Sequence, residues 1–208
     1  MKVLIVGHSY VRDLARLQGW HQNSRVTLDN NTVVSLEYQF QSYPGKDFDH
    51  FLNHPELFNR IGGAYPDIIV VILGGNAIVS NLSNSDLRGL IRAFYGKLNE
   101  VLYDGCIRIA MQVEPRRPRS NNRHGAPTYA LYSRRRNIVN SYYNRAIRNA
   151  GWLDFVGTIG GRGFLDQEDQ FGQDGVHLNS TGLENYRQAV VGAIRYALNE
   201  RCGPGLGQ

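Results

Sequence analysis

Cysteine is scarce in this sequence: Cys106 and Cys202 are the only two among 208 residues. So few cysteines argue against the disulfide framework of small secreted domains, and they favour a reducing, intracellular location, most simply the cytoplasm. Long apolar runs are also missing, because none approaches the roughly 20 residues of a membrane-spanning helix. The first apolar run ends at Gly7 after only four residues, too few for a signal peptide. We therefore predict no membrane span.

Extremes of composition are absent as well. Hydrophobic residues make up 42% of the chain and charged residues 20%, which excludes a disordered protein and fits an ordinary globular one. A chain of this length can bury its own core, and no repeat or linker divides it. We predict a single domain over residues 1–201 and a flexible tail over 202–208. The net charge of +5 would attract polyanions.

Short apolar runs alternate with amphipathic stretches along the whole chain. Residues 3–6 and 67–73 are the clearest strands, because they are almost entirely apolar, as buried parallel strands are. Weaker strand patterns occupy 32–38, 107–113 and 152–156. Strands that alternate with helices predict a parallel sheet between two helical layers, joined by right-handed crossovers. The expected fold is an α/β three-layer α/β/α sandwich with a five-stranded parallel sheet in flavodoxin-like order.

Local signals predict the limits of other elements: a polar loop over 20–31, a helix over 48–58 interrupted at Pro55, a helix capped by Ser85, and a long helix over 129–150. The last helix should begin at Ser180 or Thr181. Thr181 and Glu184 have the spacing of a capping box, in which each side chain bonds to the other residue's backbone N–H.

Polar and glycine residues follow the predicted strands at the points where these end. They are Ser9 after the first strand, Gly45 after the second, Asn76 after the third, and Asp174 with His177 before the last helix. The carboxyl ends of parallel strands meet at one edge of the sheet, and ligands bind at that edge. Taken alone, Ser9 is more simply a helix N-cap. Its convergence with the other residues favours a chemical role instead.

These residue types can be combined into one reaction site. Ser9 is the candidate nucleophile, His177 the base that takes its proton, and Asp174 the group that holds the imidazole by its other nitrogen. The backbone N–H groups of Ser9 and Gly45 and the side-chain amide of Asn76 could bind the negative oxygen of a tetrahedral intermediate.

In these blocks the sequence resembles the SGNH (GDSL-type) hydrolases. That family has a serine near the amino terminus, then a glycine, then an asparagine in Gly-x-Asn, then a histidine in Asp-x-x-His. Here the matching residues are Ser9, Gly45, Asn76 and the pair Asp174 and His177, in the family's order along nearly the whole chain. The resemblance implies an esterase acting on small ester or acylated substrates, on a flavodoxin-like sheet, without metal or cofactor.

Two positions depart from the family pattern. His8 stands where the family usually has aspartate before the serine, and Ala77 follows Asn76 where aspartate is common. Both changes remove acid from the cleft, which would retune the pH behaviour of the site or signal drift toward a non-catalytic module. We set His8 aside as the base because adjacent residues in a turn usually point apart and because it has no acid partner in the sequence. It is more simply a pocket-wall or surface histidine. Gly7-His8-Ser9 with a basic surface is similar in style to the esterase-like domains that some retrotransposons encode.

Acidic residues are absent from 115–153, which holds nine arginines. One interpretation is a nucleic-acid-binding face, since arginine suits phosphate and tyrosines in the segment could stack on bases; the candidates are Arg116, Arg117, Arg119, Arg134, Arg135 and Arg136. The other is a solvated surface, which charge runs more often are. The alternative to an esterase is therefore a weakly active or inactive module that binds nucleic acid or another polyanion.

Overall fold

The computed structural model of the protein describes residues 1–17, 23–116, 129–143, 147–155 and 170–202. Its strands are β1 (Lys2–Gly7), β2 (Asn23–Thr27), β3 (Val33–Ser42), β4 (Ile68–Ile72), β5 (Ile107–Met111) and β6 (Leu153–Phe155). Its helices are α1 (Ser9–Ala15), α2 (Phe48–Leu52), α3 (Glu56–Gly63), α4 (Gly75–Ile78), α5 (Asn84–Val101), α6 (Tyr129–Tyr142) and α7 (Ser180–Cys202). Predictions for Arg117, Arg119 and the tail 203–208 lie outside the described residues.

The sheet has the strand order β2-β3-β1-β4-β5-β6. The five strands from β3 to β6 in this order run parallel to one another. Their order is that of flavodoxin, with the first strand of the chain lying between the second and third parallel ones. The predicted α/β sandwich with five parallel strands is confirmed.

An additional antiparallel strand, β2, lies at the edge of the sheet against β3. The prediction of a loop over 20–31 is wrong for this part. Buried and exposed side chains alternate along this part of the chain. Val26 and Leu28 are buried, whereas Arg25 and Thr27 are exposed. This alternation is the pattern of a half-buried strand, although it covers too few residues to stand out from the polar sequence around it.

Apolar side chains form one core on each face of the sheet. On β1, Leu4 and Val6 pack toward α2, α3, α5 and α6, whereas Val3 and Ile5 pack toward α1 and α7. Because successive strand residues point to opposite faces, an all-apolar strand can contribute to both cores at once. The central strands are therefore fixed between two helical layers, and the loops at their carboxyl ends are held in place.

Several helix limits differ from the prediction. Ser83, rather than Ser85, caps α5, because its side chain accepts a hydrogen bond from the Asp86 backbone N–H at 3.1 Å. The long helix expected over 129–150 is α6 followed by a short 3₁₀ turn, Arg148–Ala150. The break at Pro55 is confirmed, since α2 ends at Leu52 and α3 begins at Glu56.

The last helix, α7, begins at Ser180 as expected, but without the predicted capping box. Asn179 supplies the cap, because its Oδ1 accepts a hydrogen bond from the Gly182 backbone N–H at 2.9 Å. Glu184 instead accepts hydrogen bonds from Arg187 on the same helix. Within the described ranges, neither α7 nor any other helix is long and apolar enough to cross a membrane.

Candidate active site

A cavity of about 440 Å³ opens at the carboxyl edge of the sheet. Its walls come from the turn after β1, the loop after β3, the ends of β4 and β5, and the loop before α7. Ser9, Gly45, Asn76 and His177 all line it, and Asp174 is hydrogen-bonded to the ring of His177. The topology explains why these residues meet, because each loop leaves or approaches the same edge of a parallel sheet.

Ser9 is the first residue of α1, directly after the turn that ends β1. The strands are so close here that a side chain on Gly7 would collide with the carbonyl oxygen of Ile72 on β4. His8 caps the helix, because its Nδ1 accepts a hydrogen bond from the Tyr10 backbone N–H at 3.4 Å. The N-cap interpretation of Ser9 is therefore wrong. The Ser9 hydroxyl forms no hydrogen bond to any residue that the structure describes.

His177 is held by Asp174 through its Nδ1 atom, which lies 2.5 Å from Asp174 Oδ2. Since a carboxylate only accepts hydrogen bonds, Nδ1 must carry the proton, and Nε2 is left as the acceptor of a neutral ring. Asp174 Oδ1 accepts two further hydrogen bonds, from the backbone N–H groups of Val176 and His177, both at 2.9 Å. Partial burial raises the pKa of Asp174, but the hydrogen bonds from His177 and Val176 outweigh this and lower it to about 2.

The loop that carries this pair is attached to the first helix. Tyr10, the residue after Ser9, donates a hydrogen bond from its hydroxyl to the carbonyl oxygen of Val176 at 2.7 Å. Burial raises the pKa of Tyr10, so the hydroxyl stays neutral and remains a donor. This contact fixes Ser9 and His177 relative to each other although 168 positions separate them in the chain. The sequence contains no local signal for it.

Asn76 on α4 has both ends of its side-chain amide engaged. Its Nδ2 donates to the backbone carbonyl of Lys46 at 3.1 Å, and its Oδ1 accepts from Arg116 Nη2 at 3.2 Å. The first contact ties Asn76 to the loop that contains Gly45. The backbone N–H groups of Ser9 and Gly45 are not hydrogen-bonded to any described residue, so both are available to a ligand in the cavity.

The position of α4 depends on Gly74, which caps it with φ of 110°. Residues with a side chain rarely adopt this left-handed conformation. A Cβ atom at Gly74 would also lie 2.7 Å from Cγ2 of Val113, which is closer than carbon atoms approach. Glycine is therefore required both by the backbone turn and by the space beside the extension of β5.

His8 lies in the cavity wall beside Ser9. This agrees with the expectation that His8 is a pocket-wall or surface histidine. Burial, the charge of Arg116 and the proximity of His177 together lower the pKa of His8 to about 3. With Nδ1 accepting from Tyr10 and the ring neutral, His8 has little tendency to take a proton near neutral pH.

The described arginines of the basic segment differ in their surroundings. Arg116 lines the cavity, Arg134 is exposed on α6, and Arg136 is half-buried and contacts Asn137. Arg135 is buried and donates to backbone carbonyls in the loop after α4, including that of Leu82 at 2.8 Å. Arg135 is thus engaged within the protein, which contradicts its assignment to a nucleic-acid-binding face.

The described residues contain no group of three or more His, Cys, Asp or Glu side chains placed to hold a metal ion. The polar groups around the cavity include a serine, a histidine–carboxylate pair and several N–H donors. Such a set can transfer a proton from a hydroxyl and bind a developing oxyanion.

No family model matches this chain, and no curated protein matches it in sequence. Solved structures do match it. A GDSL-like lipase from Bacteroides thetaiotaomicron has a TM-score of 0.63 at 14% identity, over 96% of this chain and 88% of that one. The psychrotrophic esterase EstA from Pseudoalteromonas, solved with monoethylphosphonate as inhibitor, has a TM-score of 0.59 at 13% identity, over 95% and 98%. An acetylxylan esterase from Geobacillus stearothermophilus has a TM-score of 0.61 at 13% identity, over 93% of both chains.

These similarities extend along almost the entire chain, at identities too low to show more than a common fold. They agree with the resemblance drawn from the four sequence blocks around Ser9, Gly45, Asn76 and His177. The chain therefore has the fold of the GDSL-like lipases and esterases.

Proposed function

We propose that this protein is a serine hydrolase. Its substrates are small esters of acetic and other short-chain carboxylic acids. The observation that carries the proposal is the hydrogen bond between His177 Nδ1 and Asp174, in a cavity that Ser9 also lines. This bond leaves the second ring nitrogen of His177 able to take a proton from a hydroxyl. The common fold with GDSL-like lipases and esterases supports the same reaction class.

In the first half of the reaction, the Ser9 hydroxyl oxygen attacks the ester carbonyl while His177 Nε2 takes its proton. The resulting tetrahedral intermediate collapses, the ester C–O bond breaks, and the leaving alcohol receives the proton from His177. An acyl group remains on Ser9. In the second half, His177 takes a proton from water, whose oxygen attacks the acyl carbon, and the carboxylic acid leaves as Ser9 regains its proton.

Asp174 acts on this sequence through His177. With a pKa of about 2, it is ionised throughout the neutral range, so it can stabilise the imidazolium that forms when Ser9 loses its proton. The negative oxygen of the intermediate would be bound by the N–H groups of Ser9 and Gly45 and by Nδ2 of Asn76. One Nδ2 hydrogen is directed at Lys46, which leaves the other for the oxyanion.

The Ser9 hydroxyl and His177 are not hydrogen-bonded in this structure, a contact that the mechanism requires. Catalytic hydrogen bonds of this type are often long without substrate and form when substrate binds. The side chain of His177 is 41% exposed, and the Ser9 hydroxyl has no competing bond to a described residue. No such hydrogen bond therefore opposes rotation of the Ser9 side chain about its Cα–Cβ bond, which would turn the hydroxyl toward His177.

The volume of the cavity favours a small substrate. About 440 Å³ is near the lower end of the range for ligand pockets, and the walls contain apolar residues such as Ile72 and Val113 beside the polar groups. An ester of acetate or another short acid would fit in this space with its carbonyl near Asn76.

The test is covalent labelling of the protein with a fluorophosphonate probe, which reacts with activated serines, together with hydrolysis of p-nitrophenyl acetate. We expect labelling of the wild type at Ser9 and loss of both labelling and hydrolysis by several orders of magnitude in Ser9→Ala and His177→Ala. Ser141→Ala, on the exposed face of α6, is the matched control and should behave like the wild type. Equal labelling or equal hydrolysis in Ser9→Ala would overturn the assignment.

A further inference from the structure

Arg116 lies beside the proposed reaction site and has no role in the mechanism described so far. It follows β5 and lines the cavity, and its Nη2 atom lies 3.2 Å from Oδ1 of Asn76. Within the described ranges, Arg116 forms no ion pair with a carboxylate. An arginine that is half-buried in a cleft and directed at an amide oxygen requires an explanation, because guanidinium groups in such places usually meet an anion.

The guanidinium is held from its other side by α6. Its central carbon lies 5.1 Å from the centre of the Tyr132 ring, a cation–π distance. Tyr132 is itself buried and fixed, because its hydroxyl donates to the carbonyl oxygen of Glu114 at 2.9 Å. Next to Asn76, Gly75 leaves space, since a Cβ atom there would lie only 3.4 Å from Arg116 Nη2. The position of the guanidinium thus depends on packing that does not involve Asn76.

These contacts determine which way the Asn76 amide faces. The two flipped orientations of an asparagine amide have nearly the same shape, and only hydrogen-bond partners distinguish them. Arg116 can only donate, so the atom that faces it must be the oxygen. The carbonyl of Lys46 can only accept, so the atom that faces it must be the nitrogen. Both partners select the same orientation, in which the NH₂ group is turned toward the loop of Gly45.

The positive charge has a second effect on the amide. A cation at the carbonyl oxygen draws electron density from the nitrogen and makes each N–H a stronger donor, as in other charge-assisted hydrogen-bond chains. The hydrogen of Nδ2 that does not bond to Lys46 would therefore bind a negative oxygen more strongly.

We propose that Arg116 is a positioning residue, which acts through Asn76 by holding its amide in the orientation that presents an N–H to the oxyanion. The proposal rests on the proposed ester hydrolysis for its effect on rate, and on the hydrogen bond to Asn76 for its structural part. It also separates Arg116 from the other arginines of the basic segment, which we grouped by composition.

The test compares Arg116→Met, which removes both charge and donors, with Arg116→Lys, which retains charge but not the planar donor group. For p-nitrophenyl acetate we expect kcat of Arg116→Met to fall roughly tenfold or more, with KM changed little, because the contact acts on the transition state. Arg116→Lys should recover only part of the loss. Arg88→Met, in which an exposed arginine of α5 is changed, is the matched control and should retain the wild-type kcat.

A double-mutant cycle shows whether Arg116 works through Asn76. In an Asn76→Ala background, Arg116→Met should lower kcat by less than about twofold, because the group that it positions is gone. A full tenfold loss in that background would mean that Arg116 contacts the substrate directly, and it would overturn the proposal. A wild-type kcat in Arg116→Met alone would overturn it as well.

An NMR measurement separates this proposal from the proposed function. The side-chain NH₂ signals of Asn76, assigned by their loss in Asn76→Ala, should shift and exchange faster with water in Arg116→Met than in the wild type. If the wild type shows neither fluorophosphonate labelling nor ester hydrolysis but the NH₂ signals change as expected, the ester chemistry fails while the positioning contact stands. Unchanged NH₂ signals in Arg116→Met would overturn the positioning role whatever the activity.

Discussion

Asn76 is the residue whose surroundings limit its chemistry most clearly. Its amide oxygen is occupied by Arg116 and one amide hydrogen by Lys46, so a single N–H remains for a ligand. As an oxyanion donor it should contribute in the transition state rather than in the ground state. We therefore expect Asn76→Ala to lower kcat by roughly a hundredfold or more with little change in KM, measured by initial rates on p-nitrophenyl acetate. Asn137→Ala, exposed on α6, is the control.

A different result for Asn76→Ala would reassign the residue. An increase in KM with kcat unchanged would mean that Asn76 binds the substrate equally well in its ground and transition states. It would then be a substrate-binding residue and not part of an oxyanion hole.

The lowered pKa of His8 predicts that the stability of the protein depends on pH. Burial and the nearby charges lower its pKa from 6.5 to about 3 in the folded protein. Between these two pH values the unfolded chain binds a proton at His8 that the folded chain does not. The contribution of His8 to the free energy of unfolding should therefore be greatest above pH 6.5 and fall as pH drops toward 3, by roughly 1.4 kcal/mol per pH unit at most. Urea denaturation at several pH values between 4.5 and 7.5 measures this slope.

The variant His8→Asn isolates this effect. Asparagine can still accept the Tyr10 N–H as a helix N-cap, but it does not titrate, so the slope between pH 4.5 and 6.5 should become shallower. Asp174 has its pKa lowered from 3.8 to about 2, so it acts mainly below this pH range and acts equally in both variants. An unchanged slope in His8→Asn would show that His8 is protonated as readily in the folded protein as in the unfolded chain.

At the scale of elements, the four-residue helix α4 is the part that depends most on its flanking residues. We expect Gly74→Ala to destabilise the protein by about 1–3 kcal/mol, because alanine must adopt φ of 110° and its methyl group meets Val113. It should also lower ester hydrolysis, since α4 carries Asn76. Thermal or urea unfolding measures the first effect. Gly96→Ala is the matched control: Gly96 lies within α5 with open space around it, and alanine there should be neutral or stabilising by up to about 1 kcal/mol.

Some elements could be predicted from the sequence and others could not, depending on how many residues carry the hydrophobic pattern. The strands β1 and β4 are almost entirely apolar, and a glycine lies at the end of β1 and two residues beyond β4, so pattern alone locates them to within a residue or two. In and directly after β2, only Val26 and Leu28 mark the buried face, and these two residues do not outweigh the polar residues around them. The caps Ser83 and Asn179 could not be predicted, because several residues suited to capping lie within one turn of each other. Only the backbone conformation decides which side chain reaches a free N–H group of the helix.

At the scale of the whole molecule, parallel topology is what made the site predictable. Ser9, Gly45, Asn76 and His177 could be brought to one cavity because each lies at a strand end or a helix start on the same edge. The roles of Arg116 and Tyr10 could not be predicted, since they depend on contacts with α6 and with the loop before α7 that leave no local pattern. The intracellular location and the similarity to retrotransposon-encoded domains stay predictions.

The net charge of +5 leads to the last prediction, which concerns the basic segment. Arg116 and Arg135 are directed at protein groups, so Arg134 is the described candidate that is exposed for binding a phosphate. We expect a fluorescent single-stranded oligonucleotide to bind at low salt, with log affinity falling linearly with log salt concentration.

Each arginine that neutralises a phosphate should contribute about 0.7 to the steepness of that line for a single strand. Arg134→Ser should therefore make the line shallower by about 0.7. It should leave ester hydrolysis unchanged, because Arg134 does not line the cavity. Arg25→Ser, which removes an exposed arginine from the edge strand β2, has the same change of charge and should leave the line unaltered. Equal effects of the two substitutions would mean that binding responds only to net charge. Fluorescence anisotropy that shows no binding even at low salt would identify the arginines as a solvated surface.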